Sequence, residues 1–89
     1  MKYDRNRFVY VLGEEYFFAE NLKILRYSRT PKISQKEISR KLGVSRSTYA
    51  KYESGLRVPP AWFALSAANY YHIDLDDILS KSMQKEGLD

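Results

Sequence analysis

Three polar side chains stand close together after residue 45. Arg46 and Ser47 fill the first two positions behind Ser45, and Lys51 follows about one turn later on the same helical face. An arginine fork can bond guanine O6 and N7 at once, and a serine hydroxyl reaches several base edges with little discrimination. Base reading of this kind needs a helix narrow enough for the major groove, with these side chains near its N-terminus. Groups suited to phosphate surround them: Ser45, Lys36, Thr48, Arg57, and Gln35, which begins the preceding helix where free backbone amides favour an anion. The competing readings are plainer. Arg46 is then an exposed helix-start arginine with no target, and Gln35 an ordinary polar first-turn residue.

Catalytic chemistry has much less to work with. The single histidine, His72, falls at a predicted helix end with Asp74 as its only close carboxylate. No nucleophile–base pair, phosphate-binding glycine loop or metal-ligand spacing is visible. Asp74, Asp76 and Asp77 lack the EF-hand pattern and read as capping residues. We assign no catalytic residue, metal, cofactor or small-molecule ligand, and expect no enzyme. Without cysteine, neither a disulfide framework nor a thiolate site can form, which fits a reducing cytoplasm.

Charge is segregated along the chain. Residues 1–28 carry five Lys/Arg and four Asp/Glu, residues 29–57 eight and two, and residues 58–89 two and five. The middle segment is therefore +6 within a chain of net charge +4. Lysines and arginines often do no more than solvate helix surfaces. Here they gather on the segment that carries the base-reading pattern, which points to a phosphate-facing surface.

The elements that must hold these side chains lie between Ser34 and Gly55. Ser34 is an N-cap with Glu37 three residues on, and Ile33 and Ile38 are placed as a hydrophobic staple. Ile38 and Leu42 give an inward i, i+4 pair before Gly43 ends the helix. The second helix repeats the plan, with Ser45 as cap, Val44 and Tyr49 as staple, Tyr49 and Tyr52 inward, and Gly55 as the stop. Arg46, Ser47, Ala50, Lys51 and Ser54 are left facing out. Helices this short do not stand alone, because nucleation is too costly below about 12–15 residues. The rest of the chain must supply a scaffold.

This stretch resembles the lambda-repressor-like helix-turn-helix family, the Xre-type regulators. The resemblance is carried by Ser34-Gln35, Leu42-Gly43-Val44-Ser45, Tyr52-Glu53-x-Gly55, Arg57-x-Pro59 and the closing run Ala68–Asp76, and it covers about Leu22 to Leu79. It implies an all-α, five-helix DNA-binding domain, here with a short N-terminal arm or strand. It implies that Arg46, Ser47 and Lys51 face bases, and that Arg26 pairs with Glu53. The spacing from Arg26 to Gln35 is about two residues longer than is usual in the family.

We therefore divide the chain into an arm (1–13), a DNA-binding domain (14–80) and a polar tail (81–89) expected to fray. A single core in 89 residues buries roughly 60–65% of the unfolded surface. Phe8–Leu12 favours a strand and is too short for a signal peptide or membrane span. The first helix is predicted from Glu14 to about Ser28, with Phe18, Leu22 and Leu25 inward and Phe17, Ile24 and Tyr27 widening that face. Arg29–Lys32 is a loop. The fourth helix is predicted over 60–71 with Ala61, Ala64, Leu65, Ala68 and Tyr71 inward. His72 takes a left-handed position, and a fifth helix follows Asp74.

On that phase Trp62, Phe63, Ala67 and Tyr70 form an outer apolar face where family members usually carry polar residues. Phe8 and Tyr10 of the arm, or a second copy of the chain, would cover it. The expectation is a cytoplasmic, nucleoid-associated regulator that binds double-stranded DNA, a repressor acting as a homodimer on a near-palindromic operator. The alternative is a protein-binding adaptor or antitoxin-like partner on the same fold.

Overall fold

Local start and stop signals set most of the helices in the computed structural model, which describes residues 17–84. Within them lie α1 (Phe18–Ser28), α2 (Gln35–Leu42), α3 (Arg46–Ser54), α4 (Ala61–Tyr71) and α5 (Leu75–Ser80), with no strand. This is the five-helix, all-α fold expected. The Phe8–Leu12 strand lies outside the described residues.

The Ser34 hydroxyl accepts the Glu37 N–H at 3.0 Å, and the Ser45 hydroxyl accepts that of Thr48 at 3.1 Å. Each cap satisfies one orphan donor, an interaction of about 1 kcal/mol. Gly43 ends α2 at φ 80°, with Val44 N–H donating to Ser39 C=O and Gly43 N–H to Arg40 C=O. The same paired closure follows α3 at Gly55 (φ 83°) and α4 at His72 (φ 59°). Asp74 occupies the N-cap of α5, but its side chain makes no cap hydrogen bond.

α1 begins at Phe18 rather than Glu14. Phe17 is a non-helical cap, and its N–H donates to Leu79 C=O of α5 at 2.7 Å. Tyr27, expected on the inward face of α1, is 51% exposed, and the polar Asn21 is fully buried instead. Asn21 closes the helical layer. Its amide donates to Ile78 C=O and Lys81 C=O, and its carbonyl accepts the Met83 N–H, each at 2.8 Å. These bonds tie residues 81–83 to α1, so this part of the predicted tail is anchored.

Phe63 requires the largest correction. The helical period puts it on the outer face of α4 with Ala67, yet both are fully buried, while Leu65 and Trp62 stand 49% and 55% exposed. The Phe63 ring lies 4.7 Å from that of Tyr52, 6.1 Å from Phe18 and 6.3 Å from Tyr49, centroid to centroid. It is the point where α1, α3 and α4 meet. The helix AWFALSAANYY is apolar almost all round, so its period does not fix which arc turns inward. Phe63 and Ala67 therefore drop out of any partner surface. Tyr70 is half-buried against the core, and Ala61 is exposed.

Candidate nucleic-acid interface

α3 is positioned from behind. Tyr49, Tyr52 and Glu53 form its buried side, while Arg46, Ser47 and Lys51 are exposed. Ser45, Lys36 and Arg57 are also exposed, and Thr48 is half-buried. The Ser45 hydroxyl donates to Thr48 Oγ1 at 2.9 Å, so both side chains help to build the start of α3. All three residues considered for base reading are thus exposed, as are Ser45, Lys36 and Arg57 among those considered for phosphate contact.

A buried polar cluster holds the angle of this helix. Arg26 Nη2 donates to Glu53 Oε2 at 2.9 Å and Nε to Oε1 at 3.2 Å, in the bidentate fork that arginine makes with carboxylate. Arg26 Nη1 donates to Ile33 C=O at 3.0 Å, which pins the long loop between α1 and α2. Gln35 Nε2 adds a third donor to Glu53 Oε1 at 3.2 Å. No local pattern in the sequence signals this last bond. It joins the start of α2 to the end of α3, and the second hydrogen of the Gln35 amide remains available to a further acceptor. Burial works against charge on Arg26, but the Glu53 hydrogen bonds and carboxylate outweigh it and raise the guanidinium pKa.

Two tyrosines stand near this cluster with raised pKa values. Burial, followed by the Glu53 charge, pushes the Tyr49 phenol well above its ordinary value. Burial and then Tyr70 push Tyr71 up to about 12. Neither buried hydroxyl hydrogen-bonds to a described residue. Arg29 lies 5.1 Å from the ring centroids of both Tyr70 and Tyr71, which binds the end of α1 to the end of α4.

Of the residues considered for arm or partner packing, Phe8 and Tyr10 lie outside the described residues. Trp62 remains accessible, and Leu56 and Val58 in the linker before α4 are 80% and 53% exposed. Among the described residues no three His, Cys, Asp or Glu side chains group as a metal site, and no helix is long and apolar enough to cross a membrane.

Comparison with known proteins agrees with this geometry. A helix-turn-helix family model matches residues 25–78. A Bacillus subtilis (strain 168) protein described as the uncharacterized HTH-type transcriptional regulator YqaE is 36% identical over 62 residues, which are 70% of this chain and 52% of that protein. The chain thus spans about half the length of this curated relative. Among solved structures, the SOS-response transcriptional repressor LexA from Eubacterium rectale has a TM-score of 0.66 at 25% identity, covering 79% of this chain and 73% of that one. A transcriptional regulator from Listeria innocua has a TM-score of 0.67 at 26% identity, covering 82% and 66%. With a buried fork behind an exposed second helix, and a family match across more than half its length, the chain belongs to the lambda-repressor-like, Xre-type helix-turn-helix family of transcriptional regulators.

Proposed function

We propose that the protein is a sequence-specific regulator of transcription that binds double-stranded DNA and acts as a repressor. α3 lies in the major groove, Arg46, Ser47 and Lys51 meet base edges, and Gln35, Ser45, Lys36, Thr48 and Arg57 hold phosphates. The observation that carries this reading is the union of a fixed helix and a free face. The Arg26–Glu53–Gln35 cluster sets α3 from behind, and its three candidate reading residues are exposed within the +6 segment. Repression needs no more than occupancy of a site that polymerase must use, and it operates in the cytoplasm on the nucleoid.

The protein works as a homodimer on a near-palindromic operator. Leu56, Val58, Trp62 and Leu65 support this as apolar side chains left in water on and just before α4. Two copies joined through this side would pair their α3 helices, and a separation of roughly 34 Å would match successive major grooves. The same apolar side chains also support a second reading, an adaptor or antitoxin-like partner that binds protein. Selection of bound duplexes from a random pool, with sedimentation at micromolar concentration, tests both. A two-fold consensus and a dimer mass weakened by Trp62→Ala are expected. Failure to enrich any duplex at low salt, with a stable complex to another protein, would favour the adaptor.

A further inference from the structure

Four aliphatic and aromatic side chains stay in water on and just before α4. Leu56, Val58, Trp62 and Leu65 are each about half to four-fifths exposed. Trp62 and Leu65 are three residues apart and so share one face of the helix. A whole aliphatic side chain presents about 100 Å² and a tryptophan about 250 Å². At these exposures the four leave about 300 Å² of apolar surface on each copy.

That is too little to hold a homodimer. A stable interface takes about 800 Å² from each partner, and about 65% of a homodimer interface is apolar. Each copy therefore needs roughly 500 Å² of apolar surface, and α4 with its linker falls short by about 200 Å². Among the described residues the remaining large side chain so exposed is Tyr27. It stands on α1 with the Lys32 ammonium 4.3 Å and the Arg26 guanidinium 4.9 Å from its ring centroid, and so is already engaged. The chain before Phe17 holds the missing area in one run, Phe8-Val9-Tyr10-Val11-Leu12. Its two aromatic rings alone can bury about 150–250 Å² each.

The point from which this run departs is fixed beside the open face. Phe17 N–H donates to Leu79 C=O at 2.7 Å. The Phe18 ring lies 6.1 Å from that of Phe63, and Trp62 lies 6.0 Å from the same ring. Between Phe17 and Leu12 the chain spans at most about 16–18 Å. Packed helices stand about 8–10 Å apart, so in two copies joined across α4 each run falls within reach of the other copy's face. Folded back on its own α4, the same run would cover the surface that the second copy needs. We infer that residues 8–12 of each copy pack on Trp62 and Leu65 of the other, so that exchanged arms close the homodimer. The inference rests on the homodimer reading and names the segment that completes its interface.

The chain has no cysteine, so introduced thiols report on this contact alone. Full-length Tyr10→Cys and Leu65→Cys proteins, one of them isotopically labelled, are mixed at micromolar concentration and gently oxidised. A disulfide needs Cα atoms about 4.4–6.8 Å apart, so Phe8→Cys and Leu12→Cys are each mixed with Leu65→Cys in parallel. At least one mixture should give the mixed covalent dimer by mass spectrometry. Lys41→Cys, exposed on α2, should give none with any of the three. In sedimentation, full-length Phe8→Ser/Tyr10→Ser should weaken the dimer at least about tenfold, since the burial lost exceeds the ordering cost released. Its helical circular dichroism should be unchanged. An intrachain disulfide in Tyr10→Cys/Leu65→Cys, with no mixed dimer from any pair, would overturn the exchange. So would a Phe8→Ser/Tyr10→Ser dimer of wild-type affinity. Wild-type protein that sediments as a monomer at micromolar concentration would instead overturn the homodimer reading and the exchange together.

Discussion

Glu53→Ala is the perturbation that the scaffold should feel most. Glu53 accepts hydrogen bonds from Arg26 Nε and Nη2 and from Gln35 Nε2, and the side chains of Arg26 and Glu53 are only 8% and 5% exposed. Removing the carboxylate strands a guanidinium that still donates to Ile33 C=O and cannot readily swing into water. Breaking one partner of such a buried pair costs about 3–5 kcal/mol, against about 0–1 kcal/mol for an exposed pair. A chain of 89 residues has a total stability of roughly 4–13 kcal/mol. The variant should therefore be close to unfolding. With a urea slope of about 1 kcal/mol per molar for so small a domain, the midpoint should fall by about 3–5 M. Replacing both partners by apolar residues, as in Arg26→Met/Glu53→Leu, removes the stranded charge and should recover most of the loss. A Glu53→Ala loss below about 1 kcal/mol, equal to that of the exposed Glu37→Ala, would refute the claim that this pair fixes α3.

Three further outcomes follow from other parts of the fold. Asn21→Ala removes three hydrogen bonds to residues 78–83 and should cost about 2–3 kcal/mol, with hydrogen exchange speeding first at residues 79–84. Phe63→Ala should cost about 3–5 kcal/mol in chemical denaturation, whereas Trp62→Ala at low protein concentration should cost well under 1 kcal/mol; equal losses would contradict the phase of α4. Tyr71 is raised from 10.0 to about 12, so the folded state holds this proton more tightly. Its contribution is complete below pH 10 and is lost as pH rises from 10 toward 12, by roughly 2–3 kcal/mol. Tyr71→Phe should therefore flatten part of the alkaline fall in thermal stability, and an unchanged alkaline limb would count against the buried phenol.

The helix-turn-helix was legible because its signals are local. Ser34 with Glu37, Ser45 with Thr48, and the two left-handed glycines act within four residues, so one pass along the chain finds both helices and their outward faces. Exposure of Arg46, Ser47 and Lys51 follows from the same period once Tyr49 and Tyr52 turn inward. The Arg26–Glu53 pair, 27 residues apart, came from family resemblance and from no local pattern. Asn21 was hidden for the same reason, because its partners lie 57 to 62 residues away and a polar residue amid a helical pattern looks solvated. The phase of α4 was hidden for a different reason. Aromatic and alanine residues occupy nearly every side of it, so only packing against Phe18, Tyr49 and Tyr52 decides that Phe63 turns inward.

In the proposed function, α3 reads DNA through Arg46. Duplexes should be selected from a random pool with the wild type and with Arg46→Ala, and the two consensus sequences compared. Arg46 is exposed in the first turn of α3, so its loss should leave folding intact and lower affinity for the wild-type site by about 1–3 kcal/mol. Base preference should relax at one position in each half-site and persist at the others. An Arg46→Ala consensus identical to that of the wild type would contradict the assignment of α3 as the reading helix.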